Sequence, residues 1–220
     1  VLVGPQAAAH FKQEIGFKSD PPAAGVNAYL ANEDRMAGML TRFEIAQLPP
    51  EAKSVGRLYR NDNPRQPPDI VRDAFSPAAS ITALGRGRIA VTFVNFGERY
   101  LNARTALARD FVAGLIKEIY PKRTVEVTGS HSVDVSLMRQ GEKLTVHLVN
   151  TAGPHENQAN YVFDEIPAVG PLAVRIRTAK KPTIVTLEPG KRPLAVRYDE
   201  GVLSVTVPRL AIHEVVVVEP

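Results

Sequence analysis

Proton transfer and metal binding in this chain must come from histidines and carboxylates, because it has no cysteine. That absence removes a thiol nucleophile, thiolate-bound zinc or iron–sulfur centres, and disulfides. Four of the five histidines, His131, His147, His155 and His213, fall in the second half, and none stands in an H-x-x-x-H or H-E-x-x-H spacing. His147 in TVHLV and His213 in AIHEV alternate with apolar residues, so each is expected as a hydrogen-bonded strand residue. A three-histidine site assembled across strands is the competing reading. Glycoside hydrolysis would need two carboxyl groups roughly 5–10 Å apart with their pKa values driven apart. The candidates are Glu98, Asp110, Asp164 and Glu165. Glu98 stands at the entry to a long helical pattern, where negative charge is ordinary. Asp110 reads as an exposed helix residue beside Arg109, and Asp164-Glu165 as a solvated loop pair. No acid–base pair is read from these, no G-x-S-x-G elbow supports a serine triad, and neither a metal nor a cofactor is expected.

Phosphate and nucleic-acid chemistry are no better supported. VLVGPQAAAHFKQEIG at the start reads as strand, turn and helix, but it carries one glycine where a dinucleotide turn needs three. Pro5 there has its usual place in a first helical turn. Gly85-Arg86-Gly87 is followed by a strand pattern, which does not suit a phosphate loop. The 27 basic and 23 acidic residues are spread without a block of like charge, so no nucleic-acid partner is expected. No apolar stretch has the length of a membrane span, and Val215–Val218 reads as a buried strand. Sugar recognition favours exposed aromatic rings, yet the chain has no Trp and only 6% aromatic residues. Tyr161 and Phe163 in NYVFDEIP are the best sugar-contact candidates, with His155, Glu98, Arg99 and Tyr100 beside them.

The elements that must position these groups fall into two halves. Residues 1–122 read as an α/β layer: a strand at Val1–Val3, a helix over Gln6–Ile15, strands at Met39–Leu48 and Ser54–Tyr59, and a hairpin of Ile81–Leu84 and Ile89–Val94. A helix over Leu101–Tyr120 follows, with Leu107, Phe111, Leu115 and Ile119 every four residues and Ala108, Val112 and Ile116 widening the stripe. Pro121 closes it. From residue 123 onward, short alternating runs separated by turn residues predict an antiparallel β-sandwich. The fold class is therefore α/β followed by all-β, with a domain boundary near Lys122. No initiator Met, secretory leader or internal repeat is visible. The compartment is not legible.

Four stretches carry a resemblance to a known family: GRGRIAVTFVNFGERYLNARTALARDFVAGLIKEIYP, VEVTGSHSVDVSLMRQGEKLTVHLVNTAGPH, VGPLAVRIR and PRLAIHEVVVVE. Residues 80–220 resemble the C-terminal portion of bacterial glycosidases of the family 42 β-galactosidase type, with an α-fucosidase-like parent equally open. The first stretch is similar to the end of their amidotransferase-like trimerisation domain, the others to their closing β domain. The resemblance implies a partial flavodoxin-like layer over residues 1–122 and a sandwich over 123–220. It also implies a parent whose N-terminal barrel carries the catalytic carboxylates, none of which maps onto this chain. The implied partners are that barrel region or a separate chain of the parent glycosidase, and further copies in a homo-oligomer. The expected role is non-catalytic assembly and support. The competing roles are a carbohydrate-binding accessory module and a small hydrolase with a histidine-assisted site. An α/β layer as short as residues 1–122 is expected to leave a sheet edge and an apolar face uncovered, so the chain is expected to be a fragment or to pair with a partner.

Overall fold

A computed structural model describes residues 1–20, 27–39, 43–61, 75–97, 100, 105–153 and 165–220. The chain divides into two compact units, Val1–Pro121 and Lys122–Pro220.

The first unit opens with β1 (Leu2–Val3) and a helical segment that changes pitch twice: α1 (Pro5–Ala8), a 3-10 turn (Ala9–Phe11) and α2 (Lys12–Ile15). Gly16 ends it in the left-handed region at φ 74°, which a residue without Cβ adopts freely. Strands β2 (Lys18–Asp20) and β5 (Ile45–Gln47) make a small antiparallel pair. The main sheet uses β3 (Asn27–Asn32), β4 (Arg35–Gly38), β6 (Lys53–Asn61), β7 (Phe75–Leu84) and β8 (Gly87–Thr92), in the order β1-β8-β7-β6-β3-β4. A last helix, α3, spans Ala106–Ile119.

The expectation of a flavodoxin-like α/β layer is corrected here. Parallel strands need a crossover connection of a dozen or more residues, usually helical, whereas a tight turn reverses the chain. Here β3–β4 and β7–β8 are two-residue hairpins, with Asn32 opposite Arg35 and Leu84 opposite Gly87. Among the described ladders of this sheet only β1 on β8 is parallel. Of the strand expected over Met39–Leu48, residues 40–42 lie outside the described residues, and the described part holds β5 and a bridge from Phe43 to Val94. Ala78, Ala79, Ser80 and Ile81 are all buried in succession, so both faces of β7 are covered. The core gathers Phe93, Leu30, Leu58, Met39 and Ile89, with Leu107, Ala108, Phe111 and Leu115 from α3. Burial of each large side chain contributes about 1.5–3 kcal/mol. Gly56, at φ 63° inside β6, makes room for the helix: a Cβ there would lie 2.6 Å from the Phe111 ring.

The second unit is the expected sandwich. One sheet has the order β10-β11-β17-β13-β14 and comprises Val133–Gln140, Lys143–Asn150, His213–Glu219, Ile184–Glu188 and Arg192–Pro193. The other has the order β15-β16-β12-β9 and comprises Arg197–Asp199, Val202–Val207, Leu172–Arg177 and Val125–Thr128. All described ladders are antiparallel. Alternate residues meet in one core: Val146, Leu148, Leu187, Val216 and Val218 from the first sheet, Leu172, Val174, Ile176, Leu203 and Val207 from the second. At one end Asn150 joins three segments. Its amide nitrogen donates to the carbonyls of Pro167 (2.9 Å) and Ala211 (2.8 Å), and its oxygen accepts the Ala152 N–H (2.9 Å).

Candidate functional site

Of the sequence-predicted contact residues, Tyr100 is described; Glu98, Arg99, His155, Tyr161 and Phe163 lie outside the described residues. Tyr100 sits in a helical turn between β8 and α3 and lines a recess of about 400 Å³. Phe96 and Gly97 form one side of it, and Ala108, Arg109, Val112, Ala113 and Ile116 the other. Those five α3 residues follow helical spacing, so one face of the helix supplies the whole wall. The floor is fixed by the Phe96 ring stacked on Phe111, centroids 5.3 Å apart. Ile116, read from the sequence as part of the buried stripe, is 37% exposed and Tyr100 36%. The stripe is narrower than its periodicity suggested, because the recess leaves the Ile116 side of α3 uncovered.

Behind this wall lies a charged tie. Arg109 donates from Nε and Nη2 to Asp110 Oδ1 (3.1 and 3.0 Å), and Arg35 Nη1 donates to Oδ2 (3.0 Å). The Arg35 hydrogen bond first, then that of Arg109, holds the Asp110 carboxyl below the usual carboxylate range. A general acid in glycoside hydrolysis needs a displacement in the opposite direction. Other described carboxylates are also engaged with cations: Glu118 with Lys53 at 2.7 Å, Glu126 with Arg123 at 3.1 Å, and Glu219 with Lys143 at 2.6 Å. Glu165 is exposed, and Asp164 lies outside the described residues.

The histidines hold a relationship that spacing did not reveal. His147 on β11 pairs with Val215, and His213 on β17 pairs with Val149, so the two are diagonal neighbours on one sheet face. His147 Nδ1 and His213 Nε2 are 3.2 Å apart and the rings stack at 14°. Strand alternation was the available signal; the 66-residue separation hid the pairing. No group of three histidine or acidic side chains able to hold a metal occurs among the described residues. The arrangement therefore offers an apolar, aromatic-rimmed recess, an aspartate held ionised by two guanidiniums, and a hydrogen-bonded imidazole pair.

No family model and no curated protein matches the chain. Solved structures do. The chain is similar to α-L-fucosidase isoenzyme 2 from Paenibacillus thiaminolyticus, with a TM-score of 0.75 at 16% identity, over 92% of this chain and 33% of that one. It is also similar to a catalytic mutant of Gan42B, a GH42 β-galactosidase from G. stearothermophilus, with a TM-score of 0.50 at 14% identity, over 94% of this chain and 24% of that one. The chain spans about a third of the first protein's length and about a quarter of the second's. Its fold is that of a portion of these glycoside hydrolases.

Proposed function

We propose that this chain is a non-catalytic assembly and support region of a carbohydrate-active glycoside hydrolase. The observation that carries the reading is the fold match over nine-tenths of the chain to about a third of an α-L-fucosidase. The chemistry of the described residues agrees with it, because Asp110 is pinned ionised between two guanidiniums and is no proton donor at neutral pH. The recess at Tyr100 supports the same role. Its walls are almost wholly carbon, whereas a sugar site needs several convergent hydrogen-bonding groups. Such a recess suits an apolar surface of the parent's catalytic region, and Ile116 and Tyr100 are the side chains that would be covered.

Nitrophenyl α-L-fucoside and nitrophenyl β-D-galactoside test the reading directly. The chain alone is expected to release no nitrophenol above the buffer rate from either. Turnover of either compound that scales with protein concentration and survives repurification would overturn the support role.

A further inference from the structure

Strand β10 is the outermost strand of its sheet, and among the described residues its outer edge carries no neighbouring strand. The register with β11 runs from Val133 opposite Asn150 to Gln140 opposite Lys143. One step before it, the Thr151 N–H donates to the Ser132 carbonyl at 3.0 Å. Bonded and non-bonded pairs alternate along an antiparallel ladder. The even-numbered residues of β10 therefore bond to β11, and the N–H and C=O groups of Val133, Val135, Leu137 and Arg139 point away from the sheet. The apolar side chains are similarly unsatisfied. Val135 and Leu137 share a face with their partners Leu148 and Val146. Those partners are fully buried, yet Val135 is 37% and Leu137 40% exposed. Among the described residues, the core-side face of β10 is therefore left partly bare at these two positions.

We propose that β10 pairs antiparallel with β10 of a second copy of this chain, about a two-fold axis through Ser136. In that register Val135 faces Leu137 of the other copy, and Leu137 faces its Val135. Both pairs fall on outward-pointing backbone groups, so each exchanges two hydrogen bonds. Val133 faces Arg139 and Asp134 faces Met138, so no like charges oppose each other. The four Val135 and Leu137 side chains cover one another on that partly bare face. A shift by two residues places Leu137 on the axis and sets Val135 against Arg139, which loses that cluster. The contact is isologous, as two-fold assembly requires. One strand per copy is a smaller patch than the ~800 Å² per partner of a standard interface, so a reversible dimer is expected. The proposal deepens the assembly reading and rests on it for its purpose.

The absence of cysteine makes the test clean. Ser136→Cys places two thiols opposite each other at a non-bonded pair, with Cα atoms about 4.5 Å apart, within the span of a disulfide. Met138→Cys carries its thiol on the same face but opposite Asp134. In the full 220-residue chain, under one mild oxidant, Ser136→Cys is expected to form disulfide dimer at least ~10-fold faster than Met138→Cys, because pairing raises the effective thiol concentration. Sedimentation velocity of the unmodified chain is expected to move toward the dimer with rising concentration. Leu137→Pro, which removes an outward N–H that an edge strand can spare, is expected to abolish that shift while leaving the circular dichroism unchanged. Equal rates for the two thiols, or an unmodified chain that stays monomeric throughout, would overturn the proposal. Neither readout uses a sugar or a catalytic partner. Failure here would leave the support role standing, and nitrophenol release would remove that role without touching the dimer.

Discussion

Asp110 shows how much one side chain's role depends on a residue far away in sequence. From the sequence it is an exposed helical carboxylate next to Arg109. In the structure Arg35, 75 residues earlier, supplies the second cation and the larger influence on the carboxyl. Because the folded carboxyl is held low, the tie contributes stability above the unfolded-state value of about 4 and loses it as pH falls through the folded value. The carboxylate is partly exposed, so the contribution is discounted to under ~1 kcal/mol. Asp110→Asn is accordingly expected to lower stability by that amount at pH 7, with the gap to the unmodified chain closing toward pH 3; paired urea melts at both pH values measure it. An unchanged gap would mean that the tie is not carrying charge. Arg109 is visible in the sequence because it is adjacent to Asp110. Arg35 is not, because its place depends on the β3–β4 hairpin lying near α3. The His147–His213 contact was hidden for the same reason, since register across β11 and β17 is a property of the sheet.

At the scale of elements, α3 was legible because a buried stripe on a helix leaves a period that survives in the sequence. Leu107, Phe111 and Leu115 are buried as that period implies. Leu115 is almost fully buried, and Leu115→Ala is expected to cost about 2–5 kcal/mol in chemical unfolding of the full chain, the range for removing a packed leucine. A cost below ~1 kcal/mol would show that the helix is not anchored to the sheet there. The central strands of the second unit were legible for a parallel reason: β11, β12, β13 and β16 have one buried and one wetter face, and LAVRIR alternates in burial at every position. The main sheet of the first unit lacked that clue. Strands β7 and β8 are covered on both sides, which erases alternation and makes an antiparallel strand resemble one from a parallel layer. The one hairpin read correctly there, around Gly85, had glycine as its marker; Gly85 adopts φ 57°. No such marker stands at Glu33-Asp34, where Glu33 takes φ 54° without glycine's freedom.

For the molecule as a whole, each unit holds its own hydrophobic core. A core of that kind is what lets a segment fold by itself. Residues 122–220, expressed alone, are expected to give dispersed amide resonances and a single cooperative thermal transition; a collapsed or non-cooperative fragment would show that its sheets depend on the first unit. The glycosidase resemblance was readable mainly in the hairpin-and-helix stretch from Gly85 and in the closing strands, where patterning is strongest. It did not convey the strand directions of the first unit, because an apolar run specifies burial and not polarity.

The Asn150 amide also bears on how the sandwich breathes. One buried side chain ties the end of β11 to the segments at Pro167 and Ala211, so these stretches share hydrogen bonds that cannot be broken one at a time without stranding a polar group. That end of the sandwich should admit deuterium to its amides as a single late-opening block, while the opposite end, tied by exposed contacts such as Thr183 Oγ1–H to the Pro220 carbonyl, frays first.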